Sequence, residues 1–461
     1  MLFESLEKLI SSMNFSWIGL VDVFCALYIV ILATRARISL FYILLWGPAA
    51  IFIPKITALF LLIFGGRKHS QLAEIKKRIN RVAHELSGPF DQTGHRFTVL
   101  ADREGREAIT ALAREIKNAK TRIHLSTYIL SPDAVGREIV KLLVEKAQAG
   151  VEVRLLLDAV GSWGTPTRLC RPLLRAGGKV ARFNPVFPMQ GKGSANWRNH
   201  RKIAIFDSRA AIIGGQNIGL NYMGLRPSRQ RFRDCSFLIE GPAVSALECV
   251  FIADWCQSTD ENPEAFAEVL KIRTPAVGHV TIEVISSGPD CDNDPLWERY
   301  IQLITEAKKS VTIVTPYFVP DPTLFKLLIH SARMNKKIRI IIPRRSDHLL
   351  LDFARRWYLR LLKEVGVEIY FFKKDVLHAK LFISDDEKVV VGSANLDMRS
   401  FFFNYEIAAQ ISDEESLQPV HDYVDSLIAE SSIYSEDLYQ RSRTWRGRFL
   451  EAISRVLAPL L

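Results

Sequence analysis

The stretch HAKLFISDDEKVVVGSANLDMRS, residues 378–400, contains a short apolar strand that a histidine opens and a glycine–serine–asparagine turn closes. An earlier stretch, HRKIAIFDSRAAIIGGQN at residues 200–217, repeats this pattern. Side chains on a strand alternate between its two faces, so a histidine and a lysine two residues apart point to the same side. Each copy is therefore predicted to present an imidazole and an ammonium group on one surface.

The two copies carry the same chemical groups in the same order. The first contains His200, Lys202, Asp207 and Asn217, and the second contains His378, Lys380, Asp385, Ser393 and Asn395. A single histidine–lysine pair on a strand is more typical of a surface or core position than of a catalytic one. The repetition of the whole pattern indicates catalysis.

A reaction that needs both groups twice is displacement at a phosphodiester. One neutral imidazole attacks phosphorus and forms a phosphohistidine, while a protonated imidazole on the far side gives its proton to the departing alcohol. The roles then reverse. The two lysines, together with the amide and hydroxyl groups of Asn217, Ser393 and Asn395, are predicted to hold the nonbridging oxygens of the phosphate. Fixed ammonium groups supply the positive charge, so we predict neither a metal nor a cofactor.

These motifs resemble those of the phospholipase D superfamily, whose HxKxxxxD signature is complete here in both copies. The flanking segments are also similar to those of bacterial cardiolipin synthases that have two such motifs. They are NWRNHRK (196–202), RFRDCSFLIEGPAV (231–244), TPYFVPD (315–321), SDH (346–348) and NYE (404–406). The resemblance covers nearly the whole chain.

The resemblance implies roles for individual residues. It favours His200 as the nucleophile and His378 as the acid and then the base. Asp234 and Glu406, each in the segment that follows a motif, are expected to accept the imidazole Nδ1 proton. The signature acids Asp207 and Asp385 belong to the predicted catalytic set. Because they lie at strand ends beside turns, they are expected to orient backbone or the motif lysines rather than to touch substrate. For Arg233 and Arg399, a head-group contact and a surface or salt-bridge role are both open.

Strands that alternate with helices of 10 to 15 residues predict an α/β fold, and the second half repeats the plan of the first. Tyr128 and Tyr317 are interpreted as equivalent, as are VEVRLLLD (151–158) and KIRIIIP (337–343). We predict a duplicated phospholipase D-type domain with pseudo-twofold symmetry that brings both histidines to one cleft. The predicted boundaries are a membrane hairpin at 1–66, a basic linker at 67–96, the two halves at 97–270 and 271–435, and a basic amphipathic helix at 436–461.

The charge balance and the N-terminus indicate an anionic lipid partner. The chain has 61 Lys and Arg residues and 50 Asp and Glu residues, which gives a net charge of +11. This excess suits either nucleic acid or an acidic membrane surface as a partner. Two apolar runs, at 17–33 and 38–64, favour the membrane. Pro54 and Lys55 interrupt the second run, so a spanning and a re-entrant segment are both open. The six cysteines form neither a metal-site nor a disulfide pattern, which fits a reducing compartment.

Basic residues follow the second apolar run in a larger cluster than lies between the runs. This predicts that the catalytic part faces the cytoplasm. The resemblance to bacterial cardiolipin synthases implies that the membrane is the inner membrane of a bacterium. The C-terminal helix is predicted either to lie on an anionic membrane or to pack against the protein's own core.

The leading hypothesis is transfer of a phosphatidyl group between two phosphatidylglycerol molecules, which yields cardiolipin and glycerol. A phospholipase D hydrolase would keep every one of these residues and differ only in the acceptor. A nuclease would explain the charge but not the apolar runs, and a noncatalytic scaffold would not need two intact motifs. Phosphatidylethanolamine as donor, acyl-chain preference and oligomeric state are not predicted.

Overall fold

A computed structural model of the chain describes residues 70–87, 90–186, 196–435 and 444–457. Within these ranges no helix combines the length and the apolar character that crossing a bilayer requires. The membrane hairpin predicted at residues 1–66 lies outside the described residues.

The first half is built on a seven-stranded sheet with the order β1-β7-β6-β5-β2-β3-β4. Its strands are β1 (Arg96–Leu100), β2 (Arg122–Thr127), β3 (Glu152–Asp158), β4 (Lys179–Phe183), β5 (Ile203–Phe206), β6 (Ala210–Gly214) and β7 (Ser236–Glu240). Its helices are α1 (Ser70–Ser87), α2 (Arg106–Asn118), α3 (Ala134–Gln148), α4 (Thr167–Arg175), α5 (Ala243–Ser258) and the short α6 (Ala267–Leu270). A 3₁₀ turn, Pro263–Phe266, precedes α6.

The second half is built on an eight-stranded sheet with the order β17-β12-β11-β9-β13-β14-β16-β8, and β10 pairs separately with β15. Its strands are β8 (Ile282–Ser287), β9 (Ser310–Val314), β10 (Phe318–Val319), β11 (Lys337–Pro343), β12 (Glu368–Phe372), β13 (Leu381–Ser384), β14 (Lys388–Gly392), β15 (Leu396–Asp397), β16 (Glu406–Ile411) and β17 (Ser431–Ile433). Its helices are α7 (Pro295–Glu306), α8 (Pro322–Arg333), α9 (Leu349–Glu364), α10 (Met398–Phe402), α11 (Glu414–Ala429) and α12 (Trp445–Leu457).

The two sheets repeat one arrangement, which confirms the predicted α/β duplication. In each, three parallel strands (β2-β3-β4 and β9-β11-β12) join an antiparallel hairpin (β5-β6 and β13-β14) through the first of the three. The central parallel strands β3 and β11 are buried over most of their length and contain the apolar runs LLL (155–157) and III (340–342). The segments at 151–158 and 337–343 are equivalent, as predicted.

The equivalence of Tyr128 and Tyr317 is wrong by one residue. Ser126 pairs with Ile203 on β5, and Val314 pairs with the matching Leu381 on β13. The hydroxyls of the next residues, Thr127 and Thr315, donate to the carbonyls of Ile129 and Tyr317. Tyr317 therefore matches Ile129, because aromatic residues alone do not define strand register.

One hydrophobic core is shared by the two halves. It contains β5 and β6 of the first sheet, β13, β14 and β16 of the second, and helices α5 and α11. Helix α5 carries apolar residues on every side, with Glu248 and Asp254 paired in its interior face, and is buried over nearly its whole length, as expected for a helix at the centre of a large body. The halves are thus one folded body, which fixes the positions of the two motifs.

Helix α1, in the segment predicted as a linker, packs into this same core. Leu72, Ile79 and Ala83 are buried there. The Lys76 ammonium lies 3.2 Å from the buried Asp290 carboxylate and donates to the Ser286 hydroxyl at 2.9 Å. The basic helix is therefore part of the catalytic body rather than a free connection.

Candidate active site

His200 and His378 are held by the backbone of the opposite half. The His200 amide donates to the carbonyl of Tyr405 at 2.9 Å, and the His378 amide donates to the carbonyl of Arg233 at 2.7 Å. Two further backbone hydrogen bonds run between the same segments. The Tyr405 amide donates to the carbonyl of Arg198, and the Arg233 amide donates to the carbonyl of Val376. These are reciprocal parallel bridges, which is what a pseudo-twofold relation between two halves produces.

The acids that orient the histidines are exchanged between the halves. His200 Nδ1 lies 3.0 Å from both carboxylate oxygens of Glu406, and His378 Nδ1 lies 2.6 Å from Oδ2 of Asp234. Each acid follows the residue whose carbonyl receives the partner histidine's amide. Neither half therefore contains a complete histidine–acid pair by itself.

The bonds to Glu406 also fix the imidazole tautomer of His200. A neutral ring that donates from Nδ1 to a carboxylate has its lone pair on Nε2, the nitrogen that a nucleophile or base uses. Both acids are fully buried, whereas the histidine side chains are 11% and 6% exposed for His200 and His378. Each imidazole thus forms the accessible tip of a buried pair.

The motif lysines lie beside the histidines. Lys202 Nζ donates to the carbonyl of His200 at 2.7 Å and lies over the ring of Tyr128. Lys380 Nζ contacts both the carbonyl and Nδ1 of His378. Burial lowers the pKa of both lysines, Lys202 most strongly, and the nearby acids Glu406 and Asp234 oppose this effect. An anionic phosphate would favour their charged forms.

The pKa values of both histidines are lowered. Burial lowers that of His200 to about 4, although Glu406 raises it, and the ammonium groups of Lys202 and of Lys380 from the other half lower it further. Burial and Lys380 lower the pKa of His378, and Asp234 opposes them. His200 therefore responds to charges from both motifs, and the lowered pKa values favour the neutral form of both rings.

The signature acids Asp207 and Asp385 bind backbone at the far ends of the motif strands. Asp207 accepts from the amides of Lys120, Thr121 and Arg122, and Asp385 accepts from those of Lys308, Lys309 and Ser310. Both begin their hairpin turns with positive φ, 53° and 54°. Such a turn suits the twist of a hairpin and is tolerated by Asp. They orient backbone, and among the described residues they form no hydrogen bond or ion pair with Lys202 or Lys380.

The three predicted phosphate donors have protein partners in this state. Asn217 accepts from the amide of Ile129 and is hydrogen-bonded to Tyr222. The Ser393 hydroxyl donates to Glu406 at 2.5 Å, and Asn395 is hydrogen-bonded to Asp397. Their binding of a phosphate stays a prediction, and Ser393 has a second role as the partner of the acid that orients His200.

Aromatic rings to which the sequence analysis gave no role in the site line the two imidazoles. Tyr128 contacts His200 edge-on, with ring centroids 5.1 Å apart. Tyr222 and Phe232 contact His378 at 5.4 and 5.8 Å. Phe232 lies two residues before Asp234, so its position in the sequence could have indicated that it lies near the site. Tyr128 and Tyr222 lie in loops whose paths only the fold determines.

The two arginines considered as head-group contacts are both largely buried. Arg233 donates to the Ser426 hydroxyl at 3.1 Å and lies over the ring of Tyr423. Burial lowers the pKa of Arg399, which interacts with Tyr128 and Asp397. In the part of the chain that the structure describes, no cluster of His, Cys, Asp or Glu side chains could hold a metal ion.

A duplicated α/β body with two interlocked histidine–lysine motifs defines a protein of the phospholipase D superfamily. The family model described as "Cardiolipin synthase, PLD-like domain" matches residues 112–255 and 300–428, more than half of the chain. The chain belongs to this cardiolipin synthase family.

Curated relatives agree over most of the chain. A cardiolipin synthase of Geobacillus kaustophilus is 36% identical over 394 residues, which are 85% of this chain and 77% of the relative. One of Halalkalibacterium halodurans is 34% identical over 83% of this chain and 75% of its own length. The crystal structure of a phosphatidylserine synthase of Haemophilus influenzae covers 84% of this chain and all of its own, with a TM-score of 0.61 and 16% identity. That likeness supports the fold alone.

Proposed function

We propose that this protein is a cardiolipin synthase that transfers a phosphatidyl group from one phosphatidylglycerol to the free glycerol hydroxyl of another. The observation that carries the proposal is the crossed pair, His200 with Glu406 and His378 with Asp234, beside two buried lysines. Membership of the cardiolipin synthase family supports the substrate.

In the first step His200 Nε2 attacks the phosphorus of the donor. An N–P bond forms as the P–O bond to the leaving glycerol breaks, and His378 gives its Nε2 proton to that oxygen. Glu406 stabilises the positive charge that develops on the ring of His200. The lysines offset the charge on the nonbridging oxygens.

In the second step the acceptor hydroxyl attacks the phosphohistidine. His378, now neutral, removes the proton of the hydroxyl as the new O–P bond forms and the N–P bond breaks. This returns the proton to His378 and leaves His200 neutral. The cycle consumes no proton and needs no further reactant.

The low histidine pKa values place a condition on this scheme. The nucleophile must be neutral, and a pKa of about 4 keeps His200 in that form at pH 7. The acid must be protonated, and the pKa of free His378 is also lowered. A bound phosphodiester anion raises the pKa of a nearby imidazole. We therefore infer that His378 gains its proton when the donor binds, so the two histidines titrate as a coupled pair.

The C-terminal helix α12 supports a membrane setting. Trp445, Phe449 and Ile453 stand four residues apart, so they form one stripe along the helix, and they are 74%, 60% and 38% exposed. The polar residues Glu451 and Ser454 are the buried ones. A helix that buries polar groups and exposes a stripe of apolar side chains suits an acidic lipid surface. Together with the hairpin predicted at 1–66, it supports an inner-membrane protein with its catalytic part in the cytoplasm.

The reaction is tested with the purified full chain and vesicles of phosphatidylglycerol. We expect cardiolipin and free glycerol in equal amounts, identified by mass. Phosphatidic acid that carries oxygen from labelled water, in place of cardiolipin, would instead identify a hydrolase. Vesicles with phosphatidylethanolamine as the added lipid show whether it also serves as donor.

The role of the apolar stripe is tested with Phe449→Ser. We expect binding of residues 67–461, which lack the predicted hairpin, to anionic vesicles to weaken about fivefold, as loss of one buried aromatic side chain at a membrane surface allows. Met334→Ser, a change at a residue that is 63% exposed on another surface, is the control. Equal vesicle binding by the two variants would contradict the membrane role of α12.

A further inference from the structure

A cationic cleft adjoins the active site on the side of His378. Its volume is about 800 Å³, and six basic residues line it: Arg229, Arg231, Arg344, Arg345, Lys373 and Lys374. The one carboxylate in its lining, Asp375, lies 3.7 Å from Arg103. Lys374 is also paired, with Glu430 at 3.5 Å. Apart from these two ion pairs, the charged groups that line the cleft are all positive.

The cleft is joined to the catalytic histidine by shared residues. Phe232 lines the cleft and contacts the His378 ring. Val376, also in the lining, accepts from the amide of Arg233, whose carbonyl accepts from the amide of His378. An anion in the cleft would therefore lie on the side of the acid–base histidine, away from the Glu406 pair of His200.

Arg231 adds a buried guanidinium to the lining of the cleft, with Glu104, Asp102 and Asp133 close enough to favour its charge. Its side chain is buried, with the residue 3% exposed, and Nη2 donates to the carbonyl of Arg226 at 3.0 Å. Among the described residues, its buried Nε and Nη1 have no hydrogen-bond partner. Gly224 leaves the space for this guanidinium, because a Cβ there would collide with it. A buried guanidinium with unused donors is costly unless a ligand completes its bonding.

We propose that this cleft binds the phosphodiester of the acceptor phospholipid. The proposal rests on the proposed function, in which the attacking hydroxyl belongs to a second anionic lipid. His378 must remove the proton of that hydroxyl, so the acceptor has to approach from the side of His378. Its own phosphate, one glycerol away from the attacked phosphorus, then enters the cationic cleft. An arginine fork binds phosphate oxygens in pairs, which would position the acceptor and favour it over water.

The test compares a charged with a neutral acceptor on the same donor. Vesicles of phosphatidylglycerol diluted in neutral phosphatidylcholine are used to measure cardiolipin formation and, separately, exchange of labelled glycerol into phosphatidylglycerol. Both reactions need the same phosphohistidine, but only the first needs a second lipid phosphate. The ratio of the two rates therefore reports the acceptor site.

The variants are Arg231→Gln and the exposed pair Arg345→Gln with Lys373→Gln. We expect each to lower the ratio of cardiolipin formation to glycerol exchange about tenfold at low phosphatidylglycerol content, the effect of losing one or two charged hydrogen bonds. Lys141→Gln with Lys326→Gln, which removes the same charge from exposed helix positions, should leave the ratio unchanged. The exposed pair keeps the test valid if Arg231→Gln does not fold.

An unchanged ratio in the cleft variants, whether both reactions fall together or neither falls, would overturn the acceptor site and leave the proposed function intact. A wild-type chain that exchanges glycerol but makes no cardiolipin would overturn both.

Discussion

The two histidine–acid pairs share the same backbone arrangement, but they differ in the acid and in the residue that contacts the acid. Strand pairing makes Gly215 equivalent to Ser393 and Asp234 equivalent to Glu406. Ser393 donates a hydroxyl to Glu406, the acid of His200. At Gly215 a Cβ would collide with the carboxylate of Asp234, the acid of His378. Asp234, the shorter acid, therefore requires a glycine at position 215. Glu406, the longer acid, leaves room for the hydroxyl of Ser393.

This difference shows how a duplicated fold can assign two roles. Identical pairs would have equal pKa values and no reason to divide the work of nucleophile and acid. The pKa of the Glu406 carboxyl lies below its ordinary value. Burial alone would raise this pKa, but His200, Lys202 and the Ser393 hydroxyl lower it by more. A stabilised carboxylate suits the histidine that becomes cationic on phosphorylation. The asymmetry therefore agrees with His200 as nucleophile.

The largest expected effect separates the two histidines. With phosphatidylglycerol, His200→Ala and His378→Ala should each lower turnover about 10⁴-fold or more, as loss of a nucleophile or of the general acid does. A phosphatidyl donor with a nitrophenol leaving group needs no general acid. We expect His378→Ala to release a burst of nitrophenol and form a phosphoenzyme, and His200→Ala to do neither.

A phosphoenzyme mapped by mass to residue 378 would reverse the assignment of the two roles. It would leave the reaction class intact.

The next effect comes from the exchanged acids. Glu406→Gln and Asp234→Asn should each lower turnover about 10²- to 10⁴-fold, because the imidazole loses its tautomer and its charge stabilisation. With the nitrophenol donor, only Glu406→Gln should slow the burst. The control is Glu248→Gln, which alters the buried pair of Glu248 with His124 away from the site.

That control should lower thermal stability without changing turnover per folded molecule. A burst that slows equally in the Glu406 and Asp234 variants would show that the acids do not divide the two steps.

A smaller effect distinguishes the residues behind the acids. Ser393→Ala should lower turnover about tenfold, the cost of one hydrogen bond to a charged group. Gly215→Ala should lower it more, because the added Cβ displaces Asp234. Ser384→Ala removes another buried hydroxyl, which donates to the carbonyl of Leu303, and serves as control. A harmless Gly215→Ala would contradict the steric account of the asymmetry.

The smallest catalytic effect is expected at the signature acids. Asp207→Asn and Asp385→Asn should each lower the free energy of unfolding by about 1–2 kcal/mol, the value of a carboxylate that caps several backbone amides. Turnover per folded molecule should stay near that of the wild type. A catalytic role would instead give a large loss of turnover at unchanged stability.

The pH dependence of stability checks the same two acids. Burial raises the pKa of both, but the backbone amides outweigh it and lower the pKa below the ordinary value of 3.8. A depressed carboxylate pKa stabilises the folded state above the unfolded pKa, and this contribution is lost as the pH falls through the folded pKa. The variants should therefore differ least from the wild type in acid, when unfolding is followed from pH 6 downward.

Most residues of the candidate site could be picked out from the sequence because the two motifs are local and repeated. The pairing of acids with histidines was not, since Asp234 and Glu406 each lie close in sequence to the wrong histidine. The same is true of Tyr222 and Phe232, which reach His378 from the other half. The equivalence of Tyr128 with Tyr317 failed by one residue because register depends on the ladder of strand hydrogen bonds.

By itself the sequence determined the chemistry: two histidine–lysine strands, their apolar register, and the duplication of an α/β half. These follow from side-chain periodicity and spacing, which act over a few residues. Only the tertiary structure decided which acid serves which histidine, that Ser393 supports Glu406, and that a cationic cleft adjoins His378. The two histidine–acid contacts join residues 144 and 206 positions apart. They exist because one shared core locks the two halves together, and no local pattern encodes that packing.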